Sequence, residues 1–152
     1  MSLVDTVAYV VHLSFAGLWT GTVLFVTAGV LPLALRGEIR PEPLEYLTGR
    51  LTTVSRASAF FLFATGGHMA GQGYTLPLLL ETPRGHLVLA MVALWFALAA
   101  LVEVGAARMR SGLRAKKVRT PARDAKPFLQ AGSAVAVGLL VVAGTLAGGL
   151  PF

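Results

Sequence analysis

The chain of 152 residues contains no cysteine. That excludes disulfides and thiolate metal sites together, and leaves histidine and methionine as the donors for any soft metal. Charge is also scarce, at 13% of residues, about half the share of an ordinary soluble domain, roughly 25%. Acidic side chains are the scarcer sign, 7 against 13 Lys and Arg, for a net charge of +6. There is no glycine-rich phosphate loop, no Ser, His and Asp arrangement, and no pair of carboxylates within one apolar run. The chemistry of soluble hydrolases and phosphotransferases therefore has no residues to run on.

What is present is apolar. Hydrophobic residues make up 55% of the chain and the mean hydropathy is +0.72, the composition of an integral membrane protein. Four apolar spans can be drawn, about 4–35, 43–71, 83–107 and 127–147, each long enough for the roughly 20 residues that cross a bilayer. No soluble domain fits between them, so the expected fold is a single all-α four-helix membrane bundle. Pro32 is expected to kink or end the last turn of span one, Pro43 suits a first helical turn, and Pro77 breaks the loop 72–81. The N-terminus has no charged leader and no small-residue cleavage site, so the first span reads as a retained helix rather than a signal peptide.

The basic residues set the orientation. Arg36, Arg40, Arg50 and Arg56 lie beside the first connection, and Arg108, Arg110, Arg114, Lys116, Lys117, Arg119, Arg123 and Lys126 beside the third, whereas the opposite side holds only Arg84. Twelve against one places those two connections in the cytoplasm, and both termini on the extracytoplasmic side of the cytoplasmic membrane. The positive charge thus serves topology and anionic headgroups, not nucleic acid.

All three histidines then fall in the outer half. His12 sits eight residues inside span one, about 12 Å at the helical rise; His68 is near the outer end of span two, and His86 is in the first turn of span three. An ionisable residue inside hydrocarbon is a functional candidate by default. On the face of His12 lie Phe15, Ala16 and Trp19; on that of His68 lie Thr65, Ala64 and Phe61; His86 heads a small-residue stripe, Ala90, Ala93, Ala97 and Ala100. Met69 follows His68 and points about 100° away from it, as core filler or as a soft ligand. Phe15, Trp19 and Phe61 serve aromatic packing or the wall of a cofactor pocket. Gly17 and Gly21, Gly67 and Gly71, and Gly144 and Gly148 have the spacing of closely packed membrane helices, which permits a homodimer. Glu103, toward the inner end of span three, requires a partner such as Arg56 to offset its desolvation.

Imidazoles from separate helices at similar depth, without thiolates, suit a copper ion or the axial positions of a haem b. His12, His68, His86 and Met69 are the candidate ligands. A haem-dependent oxidase and a cofactor-free structural protein are the other classes open to such a chain.

The run VHLSFAGLWTGTVLF, with His12, six residues, Trp19, one residue and Gly21, resembles the first-helix signature of the CopD-like copper-resistance membrane proteins. The resemblance implies copper uptake or handling across the cytoplasmic membrane, with His12 at the metal site. Since members of that family can have more spans, it also implies a minimal version or a half that pairs with itself. The chain is similar, more weakly, to the HemJ-type protoporphyrinogen oxidases, four-span haem-associated proteins with a histidine six residues before a tryptophan in an early helix. Here Pro32 is followed by Leu33, where a Pro-Arg pair is associated with that family.

Overall fold

The computed structural model describes residues 2–149, and all their regular structure is helical. Helix α1, Leu3–Phe25, runs through a single π-turn, Val26–Val30, into the short α2, Leu31–Arg36. Helix α3 is Pro41–Gly73, α4 is the short Leu76–Glu81, α5 is Pro83–Leu113 and α6 is Arg119–Gly148. Among the described residues three helical stretches are long and apolar enough to cross a membrane: Leu3–Arg36, Pro83–Leu113 and Arg119–Gly148. Helix α3 is as long, at 33 residues, but its apolar character is diluted by Thr48, Thr52, Ser55, Arg56 and Ser58, four of which are buried.

The ends of the helices follow local chemistry. Ser2 caps α1 by a capping box: its hydroxyl accepts from the Asp5 amide, and the Asp5 carboxylate accepts from the Ser2 amide. Pro32 was expected to kink or stop the first span. Instead the chain passes through a π-turn just before it, with the Leu31 amide on the Val26 carbonyl, and Pro32 falls in the first turn of α2, where a missing amide is tolerated, so the chain stays helical to Arg36. The stop is Gly37, left-handed at φ 75°, with its amide on Ala34 and that of Glu38 on Leu33, a Schellman closure that glycine permits without Cβ strain. At the other proline the fourth helix begins earlier than its apolar run, at Arg119, and passes through Pro127. Pro127 and the neighbouring Arg123 and Lys126 are exposed, so the carbonyl freed by proline can be solvated. The basic connection is correspondingly short, 114–118, and closes with Lys116 at φ 53°.

Paired contacts give the register. Partners of α1 on α3 fall as α1 rises: Asp5 with His68, His12 with Thr65, Trp19 with Ser55. The same antiparallel order joins α3 to α5 (Thr52 with Arg110, Arg56 with Glu103, Phe63 against Trp95), and the π-turn after α1 is tied to α6 by Thr27 donating to the Leu129 carbonyl. Helices α5 and α6 approach most closely at Gly112 and Gly105, where a Cβ would lie 2.6 Å from Pro121 and 3.1 Å from Leu129. The glycines of the three four-residue pairs meet no helix neighbour: a Cβ at Gly17, Gly21, Gly67, Gly71, Gly144 or Gly148 would find nothing within 4 Å.

One end therefore carries both described termini and all three histidines; the other carries the basic connections. Burial is unevenly shared between them. Apart from Ala8 and Gly85, the buried residues of α1 begin at Trp19, those of α3 run from Leu44 to Leu62, those of α5 from Leu98 to Leu113, and those of α6 from Pro121 to Ala136. All of these form the packed core of the basic end and the middle. Within hydrocarbon such packing acts through dispersion rather than water exclusion, so the quality of the fit decides the strength of association.

Candidate functional site

The α1/α3 seam at the histidine end is a ladder of paired side chains. Outermost, His68 Nε2 lies 3.1 Å from Asp5 Oδ1. Next, His12 Nδ1 lies 2.9 Å from Thr65 Oγ1. Below them Phe15 and Phe61 stack, with centroids 4.4 Å apart and planes inclined by 18°. Deepest is Trp19, fully buried, whose Nε1 donates to Ser55 Oγ at 2.9 Å.

The network assigns the protons. Thr65 Oγ1 donates to the Phe61 carbonyl at 2.6 Å, so toward His12 it is an acceptor, and His12 donates from Nδ1. That leaves the lone pair of His12 Nε2 unused by the protein. An ionised carboxylate only accepts, so with Asp5 ionised His68 donates from Nε2 and keeps the lone pair of Nδ1. Asp5 is itself fixed, since its other oxygen accepts from the Ser2 amide and hydroxyl, both at 2.8 Å. Each imidazole is thus oriented through one nitrogen and offers the other, the arrangement in which metal-ligating histidines are held by a carboxylate or hydroxyl partner.

The two rings are close in depth. His68 is three residues from Thr65, about 4.5 Å of helical rise, and Thr65 touches His12. Contact is direct at Gly66 too, where a Cβ would stand 3.1 Å from His12 Cε1; glycine there lets the ring lie on the α3 backbone. Both histidines are half-buried.

Among the described residues, none of the other candidates makes a hydrogen bond to either imidazole. His86 is exposed and its Nε2 donates to the Leu80 carbonyl at 2.8 Å, tying α5 back to α4. Met69 is half-buried next to His68 in sequence. Trp19 belongs to the core and is separated from His12 by the phenylalanine stack. Glu103 meets the partner its charge demanded: Arg56 binds it through both nitrogens of a fork, Nε at 2.7 Å and Nη2 at 3.0 Å. Among the described residues no three His, Cys, Asp or Glu side chains are grouped as a metal cluster.

The residue pattern did not single out Asp5, and it placed Thr65 on the face of His68 without its pairing to His12. Asp5 carried a signal, Ser2 and Asp5 in capping-box spacing just ahead of an apolar run. Its second oxygen, turned to His68, had none, because only the tertiary register brings α3 beside it. Comparison with family models, with curated proteins and with solved structures finds no match to this chain.

Proposed function

We propose that the protein is a four-span membrane protein that binds a copper ion between His12 Nε2 and His68 Nδ1 and handles it in the outer half of the bilayer. The observation that carries the reading is the pair of oriented imidazoles, each with one nitrogen committed to Thr65 or Asp5 and one lone pair free. Imidazole is a good donor to copper, and a cuprous ion accepts two-coordinate binding, whereas structural zinc takes four protein ligands. The direct contact of His12 with Thr65 and Gly66 favours a small ion over a flat macrocycle between α1 and α3, which supports copper above haem b.

In this reading α3 is the fourth span. Its Ser55, Thr65 and His68 are matched by α1, and its Thr52 and Arg56 by α5, as polar groups in a membrane require. The bias of Lys and Arg toward the other end supports turning the histidine end to the outer face of the cytoplasmic membrane. An ion arriving there meets Asp5 first, whose charge attracts cations, and then the two imidazoles. The next layer inward is the Phe15–Phe61 stack, which offers no nitrogen or oxygen donor, so the seam retains its ion near the outer face. Handling on that face, rather than turnover of a substrate, is the activity this geometry supports.

The test is metal analysis and an absorbance scan of detergent-purified protein after loading with cuprous ion under reductant and desalting. One copper per chain without a Soret band is expected, lost in His12→Ala and in His68→Ala with helicity unchanged. A Soret band in protein as isolated would replace copper with haem, and neither signal would contradict both.

A further inference from the structure

The basic end carries a feature that orientation alone does not require. A shallow, open groove lies between the 37–40 connection and the 116–118 connection. Four cations line it, Arg40, Lys116, Lys117 and Arg119, and no acidic residue does. None of the four is in an ion pair among the described residues; Arg36 beside them is neutralised by Glu38 at 2.8 Å. Arg119 is fixed in place, since its Nη2 donates to the Arg36 carbonyl at 2.8 Å, and Gly37 leaves room for it: a Cβ there would stand 2.6 Å from Arg119 Nε. Helix α6 has neither a side-chain cap nor an acidic residue in its first turn, so its positive end adds to the field, whereas that of α3 is offset by Glu42. The four side chains are exposed, so water and salt screen their mutual repulsion, and an anion seated in the groove would be attracted by all four.

We propose that this groove binds the phosphate headgroup of an anionic phospholipid. The choice of lipid over a soluble anion rests on the membrane orientation given above and on the lining, where Ile39 and Val118 are half-buried beside the cations and offer apolar contact to the glycerol and upper acyl chain. Guanidinium and ammonium groups between membrane helices on the cytoplasmic side recognise such headgroups. The site shares no residue with the α1/α3 seam, and copper content is the readout that separates the two.

Native mass spectrometry of the full chain, released from detergent containing phosphatidylglycerol or phosphatidylcholine, tests it. Wild type retains phosphatidylglycerol, and the variant Arg40→Gln/Lys116→Gln/Lys117→Gln loses that retention by about 10–100-fold. Arg119 is left intact because it anchors the 36–37 turn. A control with three charges removed outside the groove, Arg108→Gln/Arg123→Gln/Lys126→Gln, keeps the lipid. Equal retention of the two lipids, retention by the groove variant, loss in the control, or full displacement of the lipid by inorganic phosphate overturns the proposal.

Discussion

The basic end and the histidine end are built from the same four long helices in opposite styles. At the basic end the inward faces are apolar and shut: Val30, Leu31, Leu44, Leu51, Met109, Leu113 and Leu129 are each at most 5% exposed. At the histidine end the helices bury almost nothing, and what joins α1 to α3 is a row of polar pairs. Packing specifies the fold where function asks little, with Thr48, Thr52, Ser55 and Ser58 buried inside it, and the two paired histidines stand where burial is low enough for a ligand to enter. The difference suggests a rigid base carrying a permissive rim.

The largest effect expected from breaking this contrast is at the base. Trp19→Ala should destabilise the protein by about 3–5 kcal/mol, measured by denaturant unfolding in mixed micelles, because it opens a cavity and leaves Ser55 without its donor. Next is Gly112→Ala, whose methyl would meet the Pro121 ring. Overpacking costs about 1–3 kcal/mol, which outweighs a gain of about 0.5–1 kcal/mol in helix propensity. Gly17→Ala faces open space, so there the propensity gain should stand alone and the same substitution should change sign. At the rim the effects shift from stability to binding: Asp5→Asn should weaken cuprous binding by about 10–100-fold, as losing an orienting partner does, with helicity retained. Gly66→Ala should weaken it less, since the His12 ring must move by only a few tenths of an ångström; competition with a chelator of known affinity would measure both.

Much of the helical layout was legible in composition. The apolar runs located α1, α5 and α6, but the polar breaks were drawn too wide: the expected loop 72–81 holds α4, and the expected basic loop 108–126 is helical except at 114–118. The helix ends were less legible, because Pro32 and Pro127 read as boundaries and became interior positions, Pro32 directly after a π-turn and Pro127 on an exposed face of α6. Glu103 announced its need for a cation, since few positions in a membrane tolerate a lone carboxylate. The histidines were legible as a group at one end, but their partners and the place of His86 were not. Helical periodicity says which face a side chain occupies, and the register of α3 on α1 decides that His12 and His68 lie on one seam while His86 turns to α4. Asp5 shows the same gap, since its capping role is local and its contact with His68 spans 63 residues.

X-ray absorption at the copper edge of the cuprous-loaded protein addresses the pair of imidazoles most directly. A first shell of two nitrogen donors, with imidazole outer-shell scattering that disappears along with bound copper in His12→Ala and His68→Ala, is what the account predicts. A shell containing sulfur, or an unchanged shell in either variant, would contradict it.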